Sequence, residues 1–258
     1  MIRFNDSTIQ RFNDSTIQRF NDSTIHDTWH WLDTGACACD YNMALDQALM
    51  YLAPQFGHPI LRFYGWTQPA ASFGYSQCHA DIELITPLRP LVRRPTGGGL
   101  VPHNADWTYS AVFPPNHAWY SLKAAESYER IHQWVRDSFA GLGMTTSLAQ
   151  CAVKEAPGQC FIGAEKSDVM WKGRKIAGAA QRRTHQGLLI QGSVQPPPLD
   201  LARPAWQESM LRIAREQWGV CWSPLHPPES LIALAEELKR TKYSQPSYNE
   251  RRQGWKSS

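Results

Sequence analysis

The sequence predicts one compact α/β domain, and three observations lead there. Helical periodicity recurs in well-separated segments, short strand-like runs lie between them, and no low-complexity linker interrupts residues 31–240. The composition agrees: 258 residues, 42% hydrophobic and 19% charged, can build a substantial core. A disordered tail protein, a collagen-like repeat and a disulfide miniprotein are thereby excluded.

The elements follow in order. Tyr41, Ala44, Leu45, Ala48, Leu49 and Leu52 fall on one helical face, with Asp40 placed to cap the helix and Pro54 to stop it. Runs at 60–64, 108–113 and 188–194 read as strands. A helix over 122–141 turns Ile131, Val135 and Phe139 inward and ends at Gly141 and Gly143. Residues 168–177 read as a hairpin turning at Lys172-Gly173. Two amphipathic helices follow, near 204–218 (ended by Gly219) and 228–240 (opened by Pro227-Pro228), before a basic, polar tail.

The first 26 residues stand apart. RFNDSTIQ fills 3–10, recurs identically at 11–18 and returns as RFNDSTIH at 19–26. Each octapeptide balances one Arg against one Asp, lacks the apolar run of a secretory signal and is too short for a solenoid unit. Residues 1–28 are therefore read as a poorly ordered arm, with a β-arm or oligomerisation strap as the alternative, and 29–258 as a single catalytic domain.

A formal charge of +3 spread over the chain is too weak for a nucleic-acid-binding face, and the 11 Trp are scattered singly. No stretch approaches the roughly 18–20 uncharged apolar residues of a membrane span. The six cysteines read as reduced thiols, and Cys37 and Cys39, one residue apart, lack the spacing and the second pair of a zinc site. The expectation is a cytoplasmic protein without metal, nucleic-acid partner or membrane.

Two segments carry chemistry. In Arg93-Arg94-Pro95-Thr96-Gly97-Gly98-Gly99, running on to His103 and Asp106, three consecutive glycines cost conformational entropy and offer bare backbone N–H groups. The two arginines add fixed charge and forked donors. The spacing is not that of a P-loop, and a plain glycine-rich turn with exposed arginines fits it too. In the second segment, Cys160 precedes Lys175 by 15 positions, and Gly178 follows. An ammonium near a thiol favours the nucleophilic thiolate and can steady an oxyanion. Taken singly, Cys160 also reads as an inert buried thiol and Lys175 as a solvated strand lysine.

Together these runs resemble the biotin/lipoate ligase superfamily, in its lipoate-protein ligase and cysteine-type octanoyltransferase branches, over roughly residues 31–255. The resemblance rests on Trp31-Leu32-Asp33-Thr34-Gly35, Asn42-Met43-Ala44-Leu45-Asp46, Leu61-Arg62-Phe63-Tyr64-Gly65-Trp66 and Ser72-Phe73-Gly74-Tyr75-Ser76-Gln77. It continues through the arginine–glycine run, His103-Asn104-Ala105-Asp106, Lys172-Gly173-Arg174-Lys175-Ile176-Ala177-Gly178 and the pair Lys242-Tyr243. It implies an α+β fold like the class II synthetase and biotin–lipoate ligase catalytic domains, a mixed, largely antiparallel sheet with helices on one side. It also implies an acyl tunnel beside the glycine loop, lined by Arg94, Thr96, Gly97, Gly98, Gly99, His103, Asp106 and Gly178, with Lys175 at the acyl carbonyl.

The implied reaction places a medium-chain acyl group on a lysine of a lipoyl carrier domain, such as the glycine cleavage H protein or a dehydrogenase E2, in lipoate biosynthesis. Cys160, in Cys-Phe ahead of the lysine motif, stands where the transferase branch carries its nucleophile, which takes octanoate from acyl carrier protein without a cofactor. Thr108-Tyr109-Ser110 and the short C-terminal region lean the same way, while residues 162–168 differ from that branch's Pro-Ser-x-Tyr-Glu pattern. The alternative is a ligase that activates lipoate with ATP and Mg and needs no cysteine. A non-catalytic acyl binder is disfavoured by the paired thiol and amine.

Overall fold

The computed structural model describes residues 27–153, 161, 163–196 and 200–252, so the octapeptide repeats and Cys160 lie outside the described residues. Its main sheet has eight strands. In spatial order they are β11 (Cys221–Pro224), β1 (Thr28–Cys37), β2 (Ile60–Trp66), β6 (Trp107–Phe113), β10 (Gly187–Val194), β9 (Arg174–Thr184), β8 (Val169–Trp171) and β7 (Ser147–Leu148). β1 runs parallel to both its neighbours. The other five neighbouring pairs are antiparallel. A second sheet sets β3 (Ala70–Phe73) between β4 (Leu91–Arg93) and β5 (Val101–His103), with the glycine run in the β4–β5 connection.

This is the mixed, largely antiparallel α+β architecture expected, except that helices cover both faces of the main sheet. Side chains alternate along a strand, so one strand feeds two cores. Leu61 and Phe63 of β2, Tyr109, Ala111 and Phe113 of β6, and Leu188 and Ile190 of β10 enter the larger core. It is closed by α4 (Ala124–Ala140) and α5 (Arg203–Trp218). Ile60, Val112 and Leu189 enter the other, against α1 (Cys39–Phe56) and α6 (Glu229–Leu238). Three short helices, α2 (His79–Ile85), α3 (Ala118–Ser121) and α7 (Pro246–Asn249), complete the fold. Among the described residues no helix is long and apolar enough to cross a membrane.

The helix over 122–141 forms as α4, with Ile131, Val135 and Phe139 fully buried. Pro54 does not stop α1: it sits exposed in the last turn, where only one backbone bond is forfeited, and Gly57 at φ 70° makes the turn out. Asp40 is not the cap either; it lies inside the first turn, after Ala38. Residues 242–249 are no solvated tail. Lys242 Nζ donates to Gln47 Oε1 of α1 at 2.7 Å, and burial pushes its amine down to about 7. Arg93, fully buried, donates through its guanidinium to the carbonyls of Tyr248 and Asn249 at 2.7–3.2 Å.

Candidate active site

A cavity of about 400 Å³ lies between the glycine loop and the face of the main sheet made by β9, β10, β6 and β2. The loop is held by its own arginine. Arg94, 4% exposed, donates through Nη2 to the carbonyls of Gly97 and Gly99, both at 2.8 Å, and through Nη1 to Ser72 Oγ at 3.0 Å. The forked donors expected to meet a ligand are thus turned on the loop that carries them. Adjacent strand residues point opposite ways, so Arg93 grips the C-terminal region while Arg94 grips the loop. Close approach explains a further glycine: a Cβ on Gly74 would sit 1.8 Å from the Gly98 carbonyl oxygen, and Gly98 itself has φ 83°.

A polar chain stands behind this wall. Ser72 Oγ lies 2.7 Å from His103 Nε2, and His103 Nδ1 lies 2.8 Å from Asp106 Oδ2. Asp106 Oδ2 can only accept, so Nδ1 carries a proton and donates to it, and in the neutral ring Nε2 accepts from the Ser72 hydroxyl, which in turn accepts from Arg94. The His103 ring stacks on Trp66 at 3.8 Å. Deeper in, Gln191 accepts from Thr96 Oγ1 at 2.8 Å and donates to Asp46 Oδ2 at 2.7 Å. The buried Asp46 also pairs with Arg62 at 2.7 Å and accepts from Tyr64 and Ser110 hydroxyls.

The reactive corner is made by the β8–β9 hairpin. Its register steps from Val169↔Ala177 to Met170↔Lys175, so Ile176 is an extra residue that bulges the strand. Ile176 and Ala177 both enter the apolar core, which leaves Lys175 and Gly178 on the cavity side. Lys175 Nζ pairs with Asp168 Oδ2 at 2.7 Å, with the side chains 5% and 0% exposed. Asp168 further accepts from the Tyr128 hydroxyl at 2.5 Å and the Glu165 backbone N–H at 2.6 Å. The amine lies over Gly178: a Cβ there would stand 2.7 Å from Lys175 Cε and 2.8 Å from Nζ. Phe161, the residue after Cys160, lines the same cavity with its ring centre 5.1 Å from Lys175 Nζ.

His132 approaches this corner from α4. Its Nδ1–H donates to the Tyr128 carbonyl at 2.7 Å, and its Nε2 lies 4.0 Å from Asp168 Oδ1. Burial, only partly offset by the Asp168 charge, pushes the imidazole down to about 4, so it is neutral at pH 7.

Of the residues singled out from sequence, Arg94, Gly98, Gly99, His103, Lys175 and Gly178 line the cavity. Thr96 and Asp106 stand behind it, holding Gln191 and His103. Gly97 contributes its carbonyl to Arg94. Cys160 falls outside the described residues. Asp168, Tyr128, Ser72 and Gln191 escaped the sequence reading as functional groups. The one available signal was Asp168, an acid opening the hairpin that carries Lys175.

The fold and cavity define a lipoyl ligase-type catalytic domain, and the chain belongs to that family: residues 38–195 match the model of the lipoyl protein ligase A/B catalytic domain. Among curated proteins, the octanoyltransferase LipM of Geobacillus kaustophilus is 34% identical over 181 residues, 65% of each chain. The octanoyltransferase LipM of Halalkalibacterium halodurans is 33% identical over 65% of this chain and 66% of its own. The chain therefore spans about 65% of the length of these relatives. Among solved structures, the bi-partite lipoate protein ligase of Thermoplasma acidophilum superposes with a TM-score of 0.69 at 20% identity. That match covers 90% of this chain and 100% of the other, and is a likeness of fold.

Proposed function

We propose that the protein is an octanoyltransferase that moves a medium-chain acyl group from acyl carrier protein, through a thioester on Cys160, to a lysine of a lipoyl domain. The observation that carries this reading is the buried Lys175–Asp168 pair at an apolar-walled cavity, with Phe161, bonded to Cys160, against the Lys175 amine. The similarity to LipM octanoyltransferases supports it.

In the first half-reaction the Cys160 thiol gives up its proton and its sulfur attacks the donor thioester carbonyl, and the carrier's sulfur leaves and takes up that proton. The Lys175 ammonium, fixed by Asp168, donates to the tetrahedral oxyanion; a preorganised donor of this kind is worth about 10²–10³ in rate. In the second, the acceptor lysine amine attacks the enzyme thioester, the carbon–sulfur bond breaks as the amide forms, and the amine's proton passes to the departing Cys160 sulfur. No cofactor enters either step, both carriers are soluble partners, and the reaction suits the cytoplasm.

Intact-mass measurement with octanoyl carrier protein and no ATP tests the reading. The wild type gains one octanoyl group, Cys160→Ala gains none, and Lys175→Met gains it about 10²-fold or more slowly. Full transfer by Cys160→Ser overturns the thioester route. Pyrophosphate release from lipoate and ATP, with Cys160 dispensable, replaces it with ligation.

A further inference from the structure

Asp106 occupies the turn between β5 of the small sheet and β6 of the main sheet, and one of its oxygens touches both. Oδ2 accepts from His103 Nδ1 at 2.8 Å on the small sheet. From the main sheet it accepts Thr108 Oγ1 at 3.0 Å and Ser193 Oγ at 2.7 Å. Oδ1 is buried and has no partner among the described residues. Three donors on one oxygen and none on the other is a costly arrangement for a carboxylate that is 1% exposed.

Each of those contacts reaches the cavity wall. Thr108 accepts Trp66 Nε1 at 2.8 Å while His103 stacks on the same indole, so Trp66 is fixed along its edge and across its face. Through His103 and Ser72 the chain continues to Arg94 and hence to the Gly97 and Gly99 carbonyls. Ser193 lies beside Gly178 in the β9–β10 register, next to the Lys175 amine.

We propose that Asp106 is a positioning residue that clamps the glycine-loop wall to the main-sheet wall, and so sets which acyl chain length the cavity accepts. This rests on the acyl-transfer reading for the kind of ligand. Its geometric content is that one oxygen controls the width between two sheets. A wall held on both sides cannot yield to an added methylene, and a rigid apolar pocket discriminates one methylene by about 10-fold or more. Released from Asp106, Trp66 and the loop can part and the discrimination falls.

The test is the affinity of the full chain for saturated fatty acids of six, eight, ten and twelve carbons, followed by calorimetry, with thermal melting as the control for folding. The wild type shows a steep optimum at one length. Asp106→Asn flattens the dependence, with the ratio between the best length and the next longer falling by about 5-fold or more. Ser193→Ala, which removes one donor to Asp106 at nearly constant volume, flattens it in part and carries the test if Asp106→Asn does not fold; Thr108→Val, which removes both a donor to Asp106 and the acceptor of Trp66, flattens it further. Equal weakening at every length in these variants, with the wild-type ratios kept, overturns the clamp. Where the wild type binds no free acid, the same ratios are read from its acylation by carrier protein loaded with the four chains, and acylation by none of them fails the acyl reading itself.

Discussion

The two faces of the main sheet are made by the same strands and do opposite work. Toward α4 and α5, Trp29, Phe113, Trp119 and Trp134 pack ring against ring, as do Phe63 and Trp206, at centroid distances of 4.6–6.5 Å, closing a largely apolar core. Toward α1 and the small sheet, the alternate residues of those strands are Arg62, Tyr64, Thr108, Ser110, Gln191 and Ser193, bonded to Asp46 or Asp106. The aromatic face supplies rigidity through burial, and the polar face spends it on holding a cavity open. The largely apolar lining of that cavity is backed by hydroxyls and carboxylates that bond one another, and this network fixes its walls.

The largest expected effect lies on the aromatic face. Trp134→Ala removes a fully buried indole that also donates to the Met210 carbonyl at 2.8 Å, and should cost about 3–5 kcal/mol in denaturant unfolding. Because Trp134 touches nothing in the cavity, the folded variant should keep its acyl-length preference; a changed preference breaks the division between faces.

Next comes His132, where the faces meet. Its folded value of about 4 lies below the unfolded 6.5, so between these pH values the unfolded chain binds the proton and the folded chain does not. Stability is therefore complete above pH 6.5 and lost as pH falls toward 4, by about 3 kcal/mol in total. His132→Gln should flatten that slope in urea titrations across the window, and an unchanged slope would remove His132 from the account.

Third, Gly178→Ala forces a methyl into the space of the Lys175 amine. Displacement by about 1 Å should slow transfer by about 10²-fold while the melting temperature moves little. A variant that melts early yet transfers at the wild-type rate would place Gly178 in folding rather than in chemistry. The smallest effect is Ser110→Ala, which removes one of four side-chain partners of Asp46 and should cost about 1 kcal/mol. A loss above 3 kcal/mol would mean the network acts as a unit.

Much of this was legible in the residues. Periodicity located α4 and α5, and Gly219, at φ 65°, ends α5 where the pattern stops. The strand over 108–113 was readable from its residue types, whereas the burial of its polar side against Asp46 and Asp106 depends on partners the run itself does not show. The misreading at Pro54 came from applying an interior rule to a helix's final turn, where the penalty is small. Lys175 and Gly178 were readable as a motif, but their shared orientation depends on the bulge at Ile176, which no alternation rule anticipates. Asp168, Ser72 and Gln191 matter through partners between 7 and 145 residues away, and single-residue chemistry carries no trace of such pairings.

The grip of Arg93 on Tyr248 and Asn249 bears on how the protein can be handled at the bench. Trimming back to Ser244 would strip a guanidinium of these acceptors one residue from Arg94, slackening a loop about 150 positions earlier in the sequence. A reporter fused directly at that point would act as a remote poison of the pocket, with no contact to it at all.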